Sequence, residues 1–280
     1  MEKMTSEKCL QQFILEYQGR LDVNTLALYQ RAVTQMLAYC NQSFYTITVQ
    51  DIRSWMLQLE KEKLKPSTIS TKLFGLRLFF DYCVDEELIS SNPLQSIQFP
   101  KIEEKLPRYL RKEQLLELRQ LVRENQMERA IVELLYTSGV RISEFTAIQQ
   151  GDIDWEERTI HIPKGKRKKA RIVLFTRECA EYLQAYLQGR SDSRPELFLN
   201  AKGAPLSVRT IQMRFQKYAK DLGISLTPHT LRHTFAAHLA IKGMPLMCIQ
   251  SLLGHENLQQ SQLYARLYNE ARKLQYDTWM

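Results

Sequence analysis

The interpretation of this chain begins with Pro228-His229-Thr230-Leu231-Arg232-His233-Thr234-Phe235. Proline favours the first position of a helix, and a helix places His229 and Arg232 one turn apart on the same face. Leu253-Gly254-His255 follows downstream, and Tyr264 stands nine residues after that histidine. Two imidazoles, a guanidinium and a phenol at these spacings are the groups needed to cut a phosphodiester with a tyrosine nucleophile.

A second guanidinium stands far upstream, at Arg141 after the glycine of Ser138-Gly139-Val140. A phosphate in transfer spreads negative charge over its non-bridging oxygens, and two planar guanidinium groups match that geometry. We expect Arg141 and Arg232 to bind the same phosphate. Ser143 is predicted to cap a short helix here, and the carboxylate of Glu144 is predicted to hold the Arg141 guanidinium in position.

The basic residues of the chain are concentrated in its second part. The net charge is +8; residues 1–100 carry 10 Lys and Arg against 11 Asp and Glu, whereas residues 101–280 carry 29 against 20. A basic lobe of this size favours a polyanionic partner such as nucleic acid, because each neutralised phosphate releases condensed counterions. At 280 residues the chain is long enough for two domains.

Composition also excludes several classes of protein. The sequence lacks a run of about 18 apolar residues, so we expect no membrane span, and its first residues do not resemble a signal peptide, so we expect a cytoplasmic protein. The 5 cysteines are scattered and never spaced C-x-x-C, and we interpret them as buried reduced thiols. His229 and His233 lack the glutamate of a zinc motif, because Arg232 stands beside His233. No metal site is therefore predicted.

Residues 1–99 are predicted to form a bundle of four or five helices. Asn24 and Thr48 are candidate helix caps, and Pro66 is placed to open a further helix whose apolar residues recur at helical spacing. Residues 100–107 contain two prolines and several charges, which indicates an extended linker.

Residues 108–280 are predicted to be mainly helical with a small antiparallel sheet. Helices are expected around 111–124 and 127–137. Alternation replaces helical spacing at 158–162 and 171–175, which predicts two strands joined by a cationic hairpin. Further helices are expected to begin after Thr176 and Ser207 and at Pro228, and to end near Gly189, Gly223 and Gly243.

These motifs together resemble the tyrosine recombinase, or phage integrase, family. The resemblance rests on Thr137-Ser138-Gly139-Val140-Arg141-Ile142-Ser143-Glu144, the hairpin lysine, His229-x-x-Arg232, Leu253-Gly254-His255 and Tyr264. It spans the whole second part of the chain in order. Phe145, where an aliphatic residue is more usual, and Pro163 before the hairpin lysine depart from the family pattern. The helical first part is similar to the core-binding domain of that family.

The resemblance implies a role for each motif residue. Tyr264 is the nucleophile that forms a 3′-phosphotyrosyl bond, His229 takes part in proton transfer with the phenol, and His255 donates a hydrogen bond to the developing charge. The catalytic residues are then Arg141, Lys164, His229, Arg232, His255 and Tyr264.

Two assignments stay open at the level of sequence. Tyr268 lies one turn after Tyr264, and the spacing from His255 favours Tyr264 as nucleophile. Within the hairpin run 164–169, the general acid for the leaving 5′ oxygen is Lys164 or Lys166, and the position at the strand end favours Lys164. His233 and His238 are interpreted as core histidines or as supports for the catalytic groups.

The resemblance also implies the substrate and the assembly. We expect a site-specific recombinase that acts on double-stranded DNA without cofactor or metal, assembles as a tetramer on two sites, and docks its last helix, 269–279, on a neighbour. Without an added arm-binding domain, an Xer-like or transposon-encoded resolvase is favoured over a lambda-type integrase. The alternatives are a type IB topoisomerase, which relaxes supercoils without recombinant products, and a DNA-binding protein that never attaches covalently.

Overall fold

The chain folds into two compact units in the computed structural model, Met1–Glu103 and Glu104–Met280. The structure describes residues 4–102, 106–163, 170–254 and 262–279. The described elements are mainly α-helices with one three-stranded antiparallel sheet, which confirms the predicted fold class.

The first unit is a bundle of four α-helices around an apolar core, as predicted. Its helices are α1 (Ser6–Tyr17), α2 (Val23–Cys40), α3 (Val49–Lys61) and α4 (Pro66–Asp85). Aromatic rings fill the centre of this core, where Phe13 and Phe79 meet edge to face with ring centroids 5.6 Å apart. Such contacts combine a large buried apolar area with a favourable ring geometry, so this unit is held mainly by apolar packing.

The helix starts of the first unit follow local side-chain chemistry. Thr48 caps α3 in a reciprocal capping box with Asp51, and Pro66 occupies the first turn of α4, so both predictions are confirmed. The prediction for α2 was wrong. Its cap is Asp22, whose carboxylate accepts from the backbone N–H of Asn24 at 2.9 Å, because the helix begins earlier than the apolar spacing indicated.

The second unit contains a large buried apolar cluster and a smaller one. Its helices are α5 (Lys112–Leu121), α6 (Gln126–Ser138), α7 (Ile142–Phe145), α8 (Arg177–Gln188), α9 (Val208–Asp221), α10 (Pro228–Ile241), α11 (Leu246–Leu253) and α12 (Ala265–Trp279). The predicted caps Thr176 and Ser207 are confirmed, and α6 packs against α8 and α10. The sequence analysis missed α11, whose short apolar run shows no clear helical period.

The sheet consists of β1 (Ile153–Asp154), β2 (Thr159–Ile162) and β3 (Arg171–Leu174) in that order. The two predicted strands pair antiparallel, with Ile160 opposite Val173, while β1 is a two-residue edge strand that sequence alternation is too short to show. Buried Ile160 and Val173 face the core, so the sheet fixes where the chain leaves and re-enters on either side of 164–169.

Two glycines end helices beside the functional residues. Gly139 follows α6 and Gly254 follows α11, both with φ near +60°, where a side chain would be strained. A Cβ at Gly139 would lie 2.5 Å from a ring carbon of Phe235, and one at Gly254 would lie 2.7 Å from Cδ of Arg171. Glycine is therefore required at both positions by conformation and by space.

The five cysteines are free thiols. Cys9, Cys83 and Cys179 are buried as expected, but Cys40 is half-buried and Cys248 is exposed, because a thiol is small enough to lie on the outer face of a helix without cost. Among the described helices, none is long and apolar enough to cross a bilayer.

Candidate active site

Helix α10 carries three neighbouring polar side chains, His229, Arg232 and His233. The helix begins with Pro228 in its first turn and with a capping box in which Thr227 and Thr230 each accept from the other's backbone N–H at 3.1 Å. These local interactions fix the first turn, so the three side chains at relative positions 0, +3 and +4 leave the same side of the helix.

Arg232 is buried, only 4 % exposed, and is held by backbone carbonyls. One terminal nitrogen donates to the carbonyl of Gly139 after α6, and the other donates to the carbonyl of Leu253 at the end of α11, at 2.7 Å. The C-terminal ends of helices carry partial negative charge, which stabilises this buried cation. Burial, and then the nearby Arg141, lower the pKa of Arg232 to about 9, so it remains charged at neutral pH.

Arg141 lies against the same helix end. Its guanidinium donates to the carbonyl of Gly254 at 2.8 Å and to the carboxylate of Glu144 at 2.9 Å. Arg232 and Arg141 thus donate to the consecutive carbonyls of Leu253 and Gly254. The structure brings together the two guanidinium groups that the sequence predicted to share one phosphate.

Glu144 connects Arg141 to a third arginine, Arg171 at the start of β3. Two nitrogens of Arg171 donate to the two oxygens of Glu144 at 2.9 and 2.8 Å. Burial raises the pKa of Glu144, but hydrogen bonds from Arg171 and Arg141 outweigh it and lower the pKa to about 2. The predicted role of Glu144 in holding Arg141 is confirmed. Ser143 is not the cap of α7, because Arg141 itself is the capping position and Glu144 accepts from its backbone N–H.

Sequence reasoning missed Arg171, which it treated as part of an alternating strand. The signal was the position of this arginine, the last cation after the hairpin run and the first residue of β3. Its Nε also donates to the carbonyl of Leu252 at 3.4 Å. Arg171 therefore joins the sheet to the end of α11, next to the two other arginines.

Tyr264 is buried, 1 % exposed, in a small apolar cluster with residues of α10 and α11. Its hydroxyl lies 2.5 Å from Nδ1 of His233. Burial raises the pKa of Tyr264 to about 12, although Arg232 opposes the shift. The phenol is therefore protonated at neutral pH. Tyr268, the other candidate, is half-buried one turn later in α12.

The histidines of α10 form a chain towards this phenol. The rings of His229 and His233 meet edge to face with centroids 4.5 Å apart. Burial, and then His229 and Arg232, lower the pKa of His233 to about 4, while partial burial together with Arg232 and Arg141 lowers the pKa of His229. Among the described residues, it is His233 and not His229 that contacts the Tyr264 hydroxyl.

His238 lies one turn further along α10 and is a core histidine, as predicted. Its Nε2 donates to the carbonyl of Leu110 at 2.9 Å, and its Nδ1 lies 3.0 Å from the Tyr136 hydroxyl. Both ring nitrogens are therefore used in packing.

Lys164, Lys166 and His255 lie outside the described residues. Of the six predicted catalytic residues, the structure describes Arg141, His229, Arg232 and Tyr264, and it places all four around the end of α11 and the first turns of α10. A buried phenol next to neutral imidazoles and two fixed guanidinium groups can attack a phosphodiester and stabilise the charge that develops on it.

Comparisons with known proteins cover nearly the whole chain. Residues 108–271 match the sequence profile described as "Phage integrase family", and residues 10–90 match "Phage integrase, N-terminal SAM-like domain". The tyrosine recombinase XerC of Chlamydia trachomatis serovar L2 is 36% identical over 246 residues, which is 84% of this chain and 78% of that protein. The XerC of Bacillus pumilus is 30% identical over 295 residues, which is 98% of this chain and 96% of that protein.

Solved structures share the fold. An integrase of the transposon Tn1549, in complex with transposon right end DNA, superposes with a TM-score of 0.81 at 21% identity and covers 99% of each chain. The XerH recombinase bound to its palindromic substrate, in a post-cleavage complex, superposes with a TM-score of 0.77 at 20% identity. The superposition covers 98% of this chain and 85% of that one. At these identities the likeness concerns the fold.

Proposed function

This chain belongs to the phage integrase family of tyrosine recombinases, and from that premise we propose that it cuts and rejoins double-stranded DNA through a covalent bond to Tyr264. The observation that carries the proposal is that Arg141 and Arg232 donate to the consecutive carbonyls of Gly254 and Leu253. This arrangement fixes two guanidinium groups side by side, as a phosphate in transfer requires. Solved relatives bound to DNA support a DNA substrate.

The chemical step exchanges one phosphate ester bond for another. The Tyr264 oxygen bonds to the scissile phosphorus, the bond from phosphorus to the 5′ oxygen breaks, and a 3′-phosphotyrosyl bond and a free 5′ hydroxyl result. The phenolic proton passes to a histidine of α10, and a general acid protonates the leaving oxygen. The new ester retains the bond energy, so rejoining with a different 5′ hydroxyl completes strand exchange without a nucleotide or metal cofactor.

Each site residue has a proposed role in this step. Arg141 and Arg232 bind the non-bridging oxygens, His229 lies on the exposed side of α10 where the phosphate would approach, and His255 donates a hydrogen bond to the developing charge. Glu144 and Arg171 are proposed as positioning residues, because Glu144 holds the Arg141 guanidinium and Arg171 holds the Glu144 carboxylate. We further propose that residues 1–99 bind DNA as a helical domain, 100–107 form the linker, and 108–280 form the catalytic domain.

The nucleophile is tested by trapping it on DNA. A nicked suicide substrate should accumulate the covalent complex, and digestion followed by mass spectrometry of the DNA-linked peptide identifies the modified tyrosine. We expect the nucleotide on Tyr264. A nucleotide on Tyr268, or no covalent complex from protein that binds its site, contradicts the proposal.

The general acid is proposed to be Lys164, with Lys166 as the alternative. A thiolate leaves without a proton, so replacing the bridging 5′ oxygen by sulfur makes a general acid dispensable. Lys164→Ala should cleave ordinary DNA slowly and the 5′-phosphorothiolate substrate at nearly the wild-type rate, whereas Arg232→Ala should show no rescue. If the sulfur substrate rescues Lys166→Ala instead, Lys166 is the general acid. If it rescues neither variant, the run 164–169 only holds the DNA backbone.

A tetramer on two sites is the proposed active assembly. Support comes from α12, where Tyr276 is 63 % exposed while Ala271 on the preceding turn packs against the unit. Removing residues 274–280 keeps that packing, so site binding should persist while synapsis and recombination fall. Synapsis by the truncated chain at the wild-type level, measured by native gel mobility, contradicts a role for this segment in trans.

A further inference from the structure

The contact between His233 and Tyr264 gives α10 a third reactive group beside its two motif residues, His229 and Arg232. The Tyr264 hydroxyl lies 2.5 Å from Nδ1 of His233, a short hydrogen bond between two largely buried groups. The geometry meets the first requirement for a general base, which is hydrogen-bond reach of the proton it removes. Among the described residues, no other side chain bonds to that hydroxyl.

The surroundings of His233 keep its ring neutral. The charged and titratable groups that act on it are His229 and Arg232 on α10, with Arg141 next to Arg232, and the Tyr264 phenol. Burial, and then His229 and the Arg232 guanidinium, disfavour a charged ring and lower the pKa of His233, so Nδ1 retains its lone pair when Nε2 carries the proton. A neutral imidazole facing a protonated phenol has the correct initial states for proton transfer from the phenol to the ring.

We propose that His233, rather than His229, orients the Tyr264 hydroxyl and accepts its proton as the tyrosine oxygen bonds to phosphorus. This inference rests on the proposed function, because it assumes Tyr264 as nucleophile. The phenolic proton moves to Nδ1 and the bond from the Tyr264 oxygen to phosphorus forms. The bond from phosphorus to the 5′ oxygen breaks, and that oxygen takes a proton from the general acid. On rejoining, His233 returns its proton to the phenolate that leaves.

The scissile phosphate itself makes this transfer possible. In the free protein the pKa of Tyr264 lies near 12 and that of His233 near 4, so the proton stays on the phenol and the nucleophile is inactive. A phosphate bound between Arg141 and Arg232 adds negative charge beside the imidazoles and offsets the cations, which favours protonation of the ring. Bond formation to phosphorus simultaneously makes the phenolic proton more acidic, so base and nucleophile are activated only when DNA is present.

His229 has a separate place in this arrangement. Its ring contacts His233 edge to face and lies on the exposed side of α10, near the two arginines. That position suits a hydrogen bond to a phosphate oxygen. The two histidines then divide the work, with His229 towards the phosphate and His233 towards the nucleophile.

The test compares three asparagine variants at matched histidines of one helix. The asparagine amide oxygen takes roughly the place of Nδ1 and accepts a hydrogen bond, but it does not take up a proton near neutral pH. Single-turnover cleavage of a nicked suicide substrate is measured for His233→Asn, His229→Asn and His238→Asn between pH 7 and pH 8. His238 bonds to Leu110 and Tyr136 in the core, so it controls for disturbance of α10.

We expect His233→Asn to cleave about 100-fold more slowly than wild type at pH 7. Its rate should rise about tenfold by pH 8, because the reaction then depends on the small phenolate fraction, which grows tenfold per pH unit below the pKa of the phenol. The wild-type rate should change little between pH 7 and pH 8, because His233 is already neutral. The rates of His229→Asn and His238→Asn, whatever their size, should be equally insensitive to pH in this range. A merely structural histidine would lower the rate without introducing this pH dependence.

A second variant covers the case in which asparagine disturbs the site. His233→Ala should be accelerated at least fivefold by added imidazole, and His238→Ala should not be. The inference is overturned if His233→Asn keeps the wild-type rate and pH profile or cleaves faster than wild type. It is also overturned if the pH slope appears in His229→Asn instead, or if imidazole does not accelerate His233→Ala.

The failure of the proposed function has a different signature. If Tyr264→Phe still forms a covalent complex with DNA, Tyr264 is not the nucleophile, and both proposals fail. If Tyr264→Phe forms none while His233→Asn behaves as wild type, only the role of His233 is lost.

Discussion

Helix α10 carries two contacts between a histidine and a tyrosine, and they differ in what surrounds them. Near its start, His233 Nδ1 lies 2.5 Å from the Tyr264 hydroxyl; near its end, His238 Nδ1 lies 3.0 Å from the Tyr136 hydroxyl. Burial lowers the pKa of both imidazoles and raises the pKa of both phenols. Residue types and burial alone therefore do not distinguish a reactive pair from a packing pair.

The second ring nitrogen and the neighbouring cations distinguish them. His238 Nε2 donates to the Leu110 carbonyl, which fixes its tautomer and uses both nitrogens in packing. Among the residues that the structure describes, the Nε2 of His233 has no such acceptor, and its neighbours are His229 and Arg232. The fixed arginines of the proposed phosphate site, rather than the histidine–tyrosine contact itself, therefore give the first pair its proposed chemical role.

The strongest test of this comparison removes one hydroxyl from each pair. Tyr264→Phe should lower covalent attachment to DNA by on the order of 10⁴-fold or more, because the nucleophile is lost. Tyr136→Phe should retain the wild-type rate, since its hydroxyl only packs against His238. Attachment is read on denaturing gels, with site binding by native gel as the control for folding. Equal losses in the two variants would contradict the distinction.

The arginine pair should come next in size. Arg232→Lys keeps a cation but cannot donate to the carbonyls of Gly139 and Leu253 while also bonding two phosphate oxygens. We expect a loss of about 10²- to 10³-fold in the single-turnover cleavage rate. Arg190→Lys, whose guanidinium binds Asp192 and loop carbonyls, is the matched control and should leave the rate unchanged. A wild-type rate in Arg232→Lys would refute the fixed two-guanidinium site.

Glu144 gives the site a pH-dependent stability at acidic pH. Its pKa of about 2 lies below the ordinary value of 4.5, so its contribution is present above pH 4.5 and is lost as the pH falls towards 2. Between pH 6 and pH 3, wild type should lose about 2 kcal/mol more unfolding free energy than Glu144→Gln. Urea unfolding measures both. Parallel losses in the two proteins contradict the proposed linkage.

The packing pair should affect stability rather than rate. His238→Leu leaves the Leu110 carbonyl and the Tyr136 hydroxyl without their partner, which should cost about 1 to 2 kcal/mol of unfolding free energy. The cleavage rate per folded molecule should not change. A rate loss larger than tenfold in protein that still binds its site would place His238 in the mechanism.

The smallest expected effect is that of a chelator. Side-chain cations provide the positive charge at the proposed phosphate site, so cleavage should proceed unchanged in excess EDTA without added nucleotide. Loss of cleavage in EDTA that Mg²⁺ restores would show that Arg141 and Arg232 do not suffice.

Much of the fold could be predicted because its signals are local. Thr48, Pro66, Thr176 and Ser207 mark helix starts through hydrogen bonds or ring geometry within one turn, and the structure places helices there. Short elements escaped prediction. The two-residue β1 and the eight-residue α11 depend on the sheet and core around them. The α2 cap escaped prediction for another reason, since Asp22 caps the helix through a local hydrogen bond one turn before the buried apolar residues begin.

The family, the fold class and the residue types of the site could be read from the sequence, because motif spacing and amphipathic periods are properties of the chain. Which of these groups meet depends on tertiary packing. Arg171 joins Glu144 across 27 positions, and Arg141 reaches the Gly254 carbonyl across 113. The contact between Tyr264 and His233, rather than His229, likewise depends on the packing of Tyr264 against α10 and α11. Such contacts arise from packing between distant segments, and no local pattern encodes the distance between two side chains that burial brings together.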